Sequence, residues 1–367
     1  MFKKKILIAA GGTGGHLFPA QALAEQLLNA NDDIELFFAG AKLSTNAYFD
    51  KGKFRFYDVS STTPFRGNLI TALKSIGILI KGIRESIRLL SKEMPVLVVG
   101  FGSFHVFPLL CAAVIKRIPI VLFESNAIPG KVVRLFSKRA KLTGIYFSDA
   151  RNYLKGHSVD VEIPVRAGTH VSISKQQARK ELNLEPDAMT LLVFGGSQGA
   201  KGINNAIIGM LPLLKKENLA LQLIHLTGCD QTVIEVSQLC NRLGINCYVK
   251  KFESKMALAW EAADAVICRA GAMTLAELLR HEVPGILIPY PAASDQHQLK
   301  NARFLENQVG GAVHLIESIL TPDLLAKTVL ELATPLSSKG IAMKQAIKSY
   351  KTQHKRDNLC RLISELI

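Results

Sequence analysis

A histidine placed directly after a run of glycines, and a glutamate one turn into a helix behind a buried strand, are where this sequence offers chemistry. The second place lies in the stretch from Cys268 to Ala302, CRAGAMTLAELLRHEVPGILIPYPAASDQHQLKNA. An apolar strand, Ala265-Val266-Ile267, turns sharply at Arg269-Ala270-Gly271, and a helix opens at Ala272 with Met273, Thr274 and Glu277 in its first turns. After Pro284 a second buried strand, Gly285 to Pro289, leads through a polar loop, Ala292 to Gln298, into a helix through Asn301. Strand ends followed by helix N-termini offer backbone N–H groups to an anion. A carboxylate one turn into such a helix can accept both hydroxyls of a sugar cis-diol. Together these features suit a nucleotide diphosphate-sugar; the same residues also read as an ordinary βα unit.

The first place is near the start. A strand over 3–10 ends in Gly11-Gly12-Thr13-Gly14-Gly15-His16, and a helix follows from near Pro19 with Ala20, Leu23, Ala24, Leu27 and Leu28 on one face. The loop lacks the Lys-Ser/Thr pair of a Walker A sequence and is not a GxGxxG dinucleotide turn. Around Thr13, Gly14 and Gly15 the backbone can approach a phosphate closely. His16 beside it is either a solvated loop residue or a base, since an imidazole exchanges protons near neutral pH. Asn126, after the strand ending at Glu124, is either a turn former or an amide that holds a sugar hydroxyl with donor and acceptor together.

These residues need a scaffold. Strands are expected over 34–39, 54–58, 96–99, 119–123 and 142–146, separated mostly by helical patterns, which implies a parallel, doubly wound sheet. Residues 163–174 lack helical periodicity and form the expected linker, with Arg166 at the hinge, in reach of a base or phosphate. The pattern then restarts. A strand over 190–194 runs into Gly195-Gly196-Ser197-Gln198-Gly199 and a helix, and further strands are expected near 221–226, 246–249, 264–267 and 284–288.

At 367 residues the chain accommodates two domains, and its balance of 48% hydrophobic and 20% charged residues predicts folded structure. The six cysteines contain no C-x-x-C pair, so they read as reduced residues rather than disulfides or a zinc site. The opening MFKKKILIAAGG imitates a signal peptide, but glycines interrupt its short apolar run, and it reads better as a first strand. No run of apolar residues is long enough to predict a transmembrane helix. Residues 1–166 hold 23 basic against 12 acidic side chains, a net +11 of the chain's +15. That excess suits an acidic surface, nucleic acid or anionic lipid. No nucleic-acid-binding motif accompanies it, which favours lipid. Between Pro64 and Pro95, Leu69, Leu73, Ile76, Leu79, Ile80, Ile83, Ile87 and Leu90 cluster on one helical face, flanked by Lys74, Lys81, Arg84, Arg88 and Lys92. This is a helix packed on the sheet, or one whose surplus apolar and basic residues touch an anionic membrane.

The blocks AAGGTGGHLFPA, FESNAIPG (123–130), IPVR (163–166), FGGSQGAKGIN (194–204) and the Cys268–Ala302 stretch resemble, in order, those of the MurG family of glycosyltransferases. The resemblance implies the GT-B architecture: two Rossmann-like, doubly wound parallel-sheet domains facing across a cleft. It implies an N-terminal domain over 1–164, a UDP-GlcNAc-binding domain over 165–349, and a final helix near 350–367 packing back on the first. It implies an inverting transfer of N-acetylglucosamine from UDP-GlcNAc to the C4 hydroxyl of a lipid-linked MurNAc-pentapeptide, at the cytoplasmic face of the membrane. His16 would be the base, Thr13, Gly14, Gly15 and Asn126 substrate contacts, and Arg166, Ser197, Gln198 and the helix start at Ala272, Met273 and Thr274 the hold on the departing UDP. Glu277 would take the ribose, Gln298 a sugar hydroxyl, and the backbone at Glu253 the uracil. No metal or other cofactor is expected to be required, with Mg2+ at most a stimulant, and no nucleic acid is expected as partner. The sequence departs from the pattern at Ser103 and His105 of the second glycine-rich loop, at Ser125, where the family more often has Gln, and at Glu253. A glycolipid synthase of the same fold, a UDP-sugar epimerase and a non-catalytic UDP-sugar-binding membrane partner are the rival readings.

Overall fold

Most strands are short runs of aliphatic and aromatic residues buried along their whole length, as Met189–Phe194 is. Strands apolar on both faces need helices above and below, which is the setting of a parallel sheet. A computed structural model describes residues 3–63, 69–166, 173–196, 199–217, 219–293, 296–333 and 337–367. The chain divides into two compact units, Met1–Ala167 with Arg356–Ile367, and Gly168–Lys355.

The first unit comprises β1 (Lys4–Ala9), α1 (Gly14–Ala30), β2 (Ile34–Gly40), β3 (Phe56–Asp58), α2 (Leu69–Glu93), β4 (Leu97–Gly100), α3 (Phe107–Ile115), β5 (Ile120–Glu124), α4 (Lys131–Phe136), β6 (Leu142–Ile145) and β7 (Ser158–Asp160). Its seven strands pair in parallel in the order β3-β2-β1-β4-β5-β6-β7. The second unit contains α5 (Lys175–Glu181), β8 (Met189–Phe194), α6 (Lys201–Lys216), β9 (Leu221–Leu226), α7 (Asp230–Leu243), β10 (Cys247–Lys250), α8 (Met256–Ala262), β11 (Ala265–Cys268), α9 (Ala272–His281), β12 (Gly285–Leu287), α10 (His297–Phe304), β13 (Ala312–His314), α11 (Pro322–Ala333) and α12 (Ser338–Gln353). Its six strands are also parallel, ordered β10-β9-β8-β11-β12-β13.

The last helix, α13 (Leu359–Ser364), belongs to the first unit. Asp357 bridges to Val161 beside β7, Asn31 Nδ2 donates to Ser364 Oγ at 3.0 Å, and Lys4 Nζ reaches the Ile367 carbonyl at 2.6 Å. By contrast α12 stays with the second unit, where Lys351 Nζ donates to the Arg280 carbonyl at 3.1 Å and to Glu282 at 2.8 Å.

Three expectations need correction. α1 starts at Gly14 rather than near Pro19, because the N–H groups of His16 and Leu17 already bond the Thr13 carbonyl at 3.1 and 3.2 Å. Pro19 inside the helix removes a single N–H, the one that would have served the Gly15 carbonyl. α10 starts at His297, so Gln298 sits in a helix and not in the preceding loop. The apolar face of α2 is not one stripe: its buried line runs Ser75, Leu79, Gly82, Ser86 and Leu90, while Leu73, Ile76, Ile78 and Ile80 remain exposed, Leu73 by 62%. The cause is at Gly82, where an added Cβ would lie 1.8 Å from the Ser60 carbonyl oxygen. Small residues let the helix backbone approach here, and that contact sets its rotation. β7 and β13 are edge strands of three residues each, too short for periodicity to reveal.

Two glycine substitutions separate close packing from helix propensity. A Cβ at Gly40, where β2 ends, would lie 1.9 Å from the Ala10 carbonyl oxygen, whereas Gly77 on α2 has nothing within 4 Å. Gly40→Ala should cost about 1–3 kcal/mol, as overpacking does. Gly77→Ala should stabilise by roughly 0.5–1 kcal/mol. Denaturant midpoints of the two variants check both signs.

Candidate functional site

In an open parallel sheet the loops leaving neighbouring strands diverge where the strand order reverses, and the crevice there faces the strands' C-terminal ends. The first sheet reverses between β1 and β4, the second between β8 and β11. The expected site residues gather mostly on the loops and helix starts at these ends.

In the first unit, β1 exits into Gly11–Thr13 and α1 opens at once, so the N–H groups of Gly14 and Gly15 lie in the first turn of a 17-residue helix. Helix geometry leaves such groups without intrahelical acceptors, next to the positive end of the dipole. The loop after β4 presses against this one. A Cβ at Gly11 would meet His105 Cβ at 2.8 Å, and one at Gly12 would meet His105 Nδ1 at 3.2 Å. Asn46 Nδ2 donates to the Gly12 carbonyl at 2.7 Å and fixes the turn from the other side. His16 is half-buried, with Cδ2 and Nε2 both 3.8 Å from where a Cβ on Gly102 would stand.

The unusual second loop has a structural account. Ser103 adopts φ 65°, a left-handed conformation that favours glycine, and its Oγ accepts the His105 N–H at 3.3 Å. The His105 ring then covers Gly11 and Gly12. Burial, and after it the charge of Lys42, holds that imidazole below its ordinary pKa.

Two other expected contacts are engaged internally. Asn126 donates its backbone and side-chain N–H groups to Glu124 Oε1 at 2.9 and 3.0 Å, while Gly130 N–H bonds Oε2 at 2.9 Å. Burial pushes the Glu124 carboxyl up, and these donors oppose it. Arg166 Nε lies 3.5 Å from Glu25 on α1, a carboxylate that also takes Lys53 at 2.8 Å.

In the second unit Ser197 and Gln198 lie outside the described residues. Their neighbours show how the turn is built. Gly199 has φ +71°, and a Cβ on it would stand 2.1 Å from the Thr227 carbonyl oxygen. That same carbonyl accepts Asn204 Nδ2 at 3.0 Å, and Asn204 Oδ1 is 3.0 Å from His225 Nε2. Since the amide oxygen only accepts, His225 carries its proton on Nε2. Burial pushes His225 down to about 4, which keeps it neutral.

Across the switch point, α9 begins at Ala272 with no side-chain cap, so the N–H groups of Ala272, Met273 and Thr274 form its open first turn. Glu277 is half-buried, and its Oε2 accepts the Trp260 indole N–H at 3.0 Å. Burial raises its carboxyl, with Trp260 and then Arg280 acting in the opposite sense. Arg269, in the turn before α9, grips Glu317 with both terminal nitrogens at 2.9 and 2.8 Å and donates to the Ile288 carbonyl at 3.2 Å. Its guanidinium also lies 5.5 Å from the centre of the Tyr290 ring. Gln298 Oε1 accepts the Tyr290 N–H at 2.9 Å, which ties α10 to the segment leaving β12. After β10, Phe252 is 61% exposed, whereas Glu253 is buried and bonds Tyr248 OH at 2.5 Å and the Lys255 N–H at 2.8 Å. At Glu253, therefore, the backbone rather than the carboxylate is what a ligand could meet. Trp260, Asn204 and Arg269 were not among the sequence candidates. Only Asn204, a polar residue on the apolar face of its helix, carried a signal.

Among the described residues no group of three His, Cys, Asp or Glu side chains is placed to hold a metal ion. Six cysteines are free, and Cys240, Cys268 and Cys360 are buried.

Two parallel sheets, each with a glycine-rich turn and an open helix N-terminus at its switch point, define the GT-B class of glycosyltransferase folds. Residues 6–145 match the glycosyltransferase family 28 N-terminal domain and residues 190–358 its C-terminal domain. The chain is 42% identical over 361 residues to the UDP-N-acetylglucosamine–N-acetylmuramyl-(pentapeptide) pyrophosphoryl-undecaprenol N-acetylglucosamine transferase of Protochlamydia amoebophila, covering 98% of this chain and 95% of that one. Against the Chlamydia trachomatis serovar L2 protein of the same name it is 34% identical, covering 95% and 96%. The crystal structure of Acinetobacter baumannii MurG superposes with a TM-score of 0.74 at 25% identity, over 100% of this chain and 99% of that one. A UDP complex of a UDP-glucose:anthocyanidin 3-O-glucosyltransferase shares the fold at 14% identity, with a TM-score of 0.68 over 96% and 94% of the two chains. The chain belongs to the MurG family, within glycosyltransferase family 28.

The Arg269–Glu317 fork should hold the turn before α9. Arg269→Met strands a largely buried carboxylate and should cost about 3 kcal/mol. Arg269→Met with Glu317→Leu should cost less than Arg269→Met alone, because no charge is stranded. Urea unfolding of the two single variants and the double variant gives the coupling.

Proposed function

We infer that this chain transfers N-acetylglucosamine from UDP-GlcNAc to a pyrophosphoryl-undecaprenol-linked MurNAc-(pentapeptide), the step that turns lipid I into lipid II in peptidoglycan synthesis. One observation supports this most. Glu277 and the open first turn of α9 follow β11 and the glycine turn follows β8, the neighbouring strands at which the order of the second sheet reverses. An anion-ready helix start with an oriented carboxylate one turn further in suits a nucleoside diphosphate.

In this reading the diphosphate lies against Ala272, Met273 and Thr274 and the Gly195–Gly199 turn, with Ser197 and Gln198 as further contacts. Glu277 accepts the ribose hydroxyls, the backbone at Glu253 faces the uracil and Gln298 takes a sugar hydroxyl. The acceptor belongs to the first unit, its pyrophosphate at Thr13, Gly14 and Gly15 and its sugar near Asn126. The acceptor's C4 oxygen attacks the anomeric carbon and passes its proton to His16. The bond from that carbon to the phosphate oxygen breaks with inversion, and UDP leaves with the electron pair. The α9 N-terminus stabilises the charge on the leaving group, and Arg166, which here lies against Glu25, is the further cation this reading assigns to it. No metal is required in this scheme, and Mg2+ acts at most as a stimulant.

The chemistry is tested by UDP release in the presence and absence of a soluble muramyl-pentapeptide lipid analogue. His16→Ala should lower kcat about 10²–10⁴-fold while UDP-GlcNAc binding survives. Lost donor affinity with kcat intact would make His16 a binding residue.

The chain works at the cytoplasmic face of the cell membrane as a peripheral protein. No helix among the described residues is long and apolar enough to cross a membrane. Instead α2 exposes Leu73, Ile76, Ile78 and Ile80, and along its length Ile80, Lys81, Arg84 and Arg88, with one carboxylate, Glu85, line a shallow groove of about 460 Å³. Exposed aliphatics beside basic side chains suit an anionic lipid surface. Lys74→Gln, Lys81→Gln and Arg88→Gln together should weaken binding to anionic vesicles by about 2–3 kcal/mol. Turnover of a short-chain soluble acceptor should be unchanged. Unaltered sedimentation with such vesicles would leave α2 as a packing element only.

A further inference from the structure

A ribose diol is best accepted by a carboxylate that is ionised and held in a fixed plane, and among the described residues one neutral side chain donates to Glu277. Trp260 on α8 is 1% exposed and directs its indole N–H at Glu277 Oε2. We propose that Trp260 is a positioning residue for the nucleotide, acting on it only through the Glu277 carboxylate. This rests on the reading of Glu277 as the ribose acceptor.

An indole nitrogen donates one hydrogen bond and accepts none, so it fixes a carboxylate without offering an alternative pairing. The ring that carries it is immobilised from two sides. Phe194, the last residue of β8, meets it edge-on at 5.6 Å and 87°. His281, at the end of α9, lies parallel to it at 6.0 Å and 4°, and is itself bonded to Glu261 at 2.9 Å. The indole therefore touches the strand that leads into Gly195-Gly196, the helix whose first turn faces the diphosphate, and the carboxylate on that helix. With one acceptor position on Oε2 taken by the indole, the carboxylate keeps its remaining lone pairs for a ligand. Without the indole donor, a half-buried carboxylate could rotate, or take up a proton and accept less well.

The test is a cycle between protein and ligand. Dissociation constants for UDP and for 2′-deoxy-UDP are measured on the wild type, Trp260→Phe, Glu277→Gln and the double variant. The wild type should prefer UDP, Glu277→Gln should abolish most of that preference, and Trp260→Phe should weaken UDP roughly ten-fold with the preference collapsing in parallel. The double variant should lose little beyond Glu277→Gln. If Trp260→Phe weakens both ligands equally and keeps the preference, Trp260 is a packing residue and the proposal fails. If Glu277→Gln itself keeps the preference, the donor reading of Glu277 fails first. Trp260 is the sole tryptophan of the chain. Should the phenylalanine variant not fold, incorporation of 3-benzothienylalanine, a sulfur isostere without the N–H, provides the same comparison with the shape retained. Preserved discrimination in that protein would equally overturn the proposal.

Discussion

Both sheets are parallel and largely covered on both faces, and the rest of the architecture follows from that constraint. Strands as apolar as β1 and β8 cannot be left open to water, so helices must occupy the faces. Polar chemistry is then confined to the strand ends, and among these only the switch points leave room between diverging loops. The glycines after β1 and β8 thus stand where backbone must come close to something else. In the first unit that neighbour is the ring of His105, and in the second it is the Thr227 carbonyl.

Charge is handled by the same logic at the opposite ends of the strands. Asp264, just before β11, takes Lys175 at 2.6 Å and the buried guanidinium of Arg179, and accepts the Thr190 N–H at 2.9 Å. Glu93, at the end of α2, meets Lys5 at 3.0 Å and Arg55 at 2.7 Å. Burial works against its ionisation, yet bonds from Tyr57 and Lys5 and the charge of Arg55 outweigh it and hold the carboxyl below its ordinary value. A carboxylate buried with several donors ties elements together, whereas Glu277, which among the described residues takes only the indole donor, keeps acceptor capacity for a ligand.

Most of the strands, though not their order, were legible in the sequence, because buried strands are short aliphatic runs and the intervening helices have a different period. Glycine turns placed directly after such runs located both switch points. What escaped depends on partners distant in the chain. Arg269 and Glu317 are 48 residues apart and Trp260 and Glu277 are 17 apart, and neither spacing follows from a local rule. The start of α1 was missed because Pro19 looks like a helix start, whereas the Thr13 carbonyl nucleates the helix earlier. The rotation of α2 was hidden as well. Periodicity shows which residues can share a face, but the Ser60 carbonyl against Gly82 decides which face turns inward.

The last helix gives the two units different histories during synthesis. Residues 168–355 form an uninterrupted stretch, so the second unit can close as soon as it leaves the ribosome. The first unit emerges earlier but lacks its partner for Val161 and for Asn31 until 356–367 arrive. Its final docking therefore closes a loop that contains an entire folded domain. Joining the ends of a long loop costs only slowly more entropy as the loop grows, and a domain already folded within it shortens the effective span. Vectorial translation thus lets the second unit close before the first is complete.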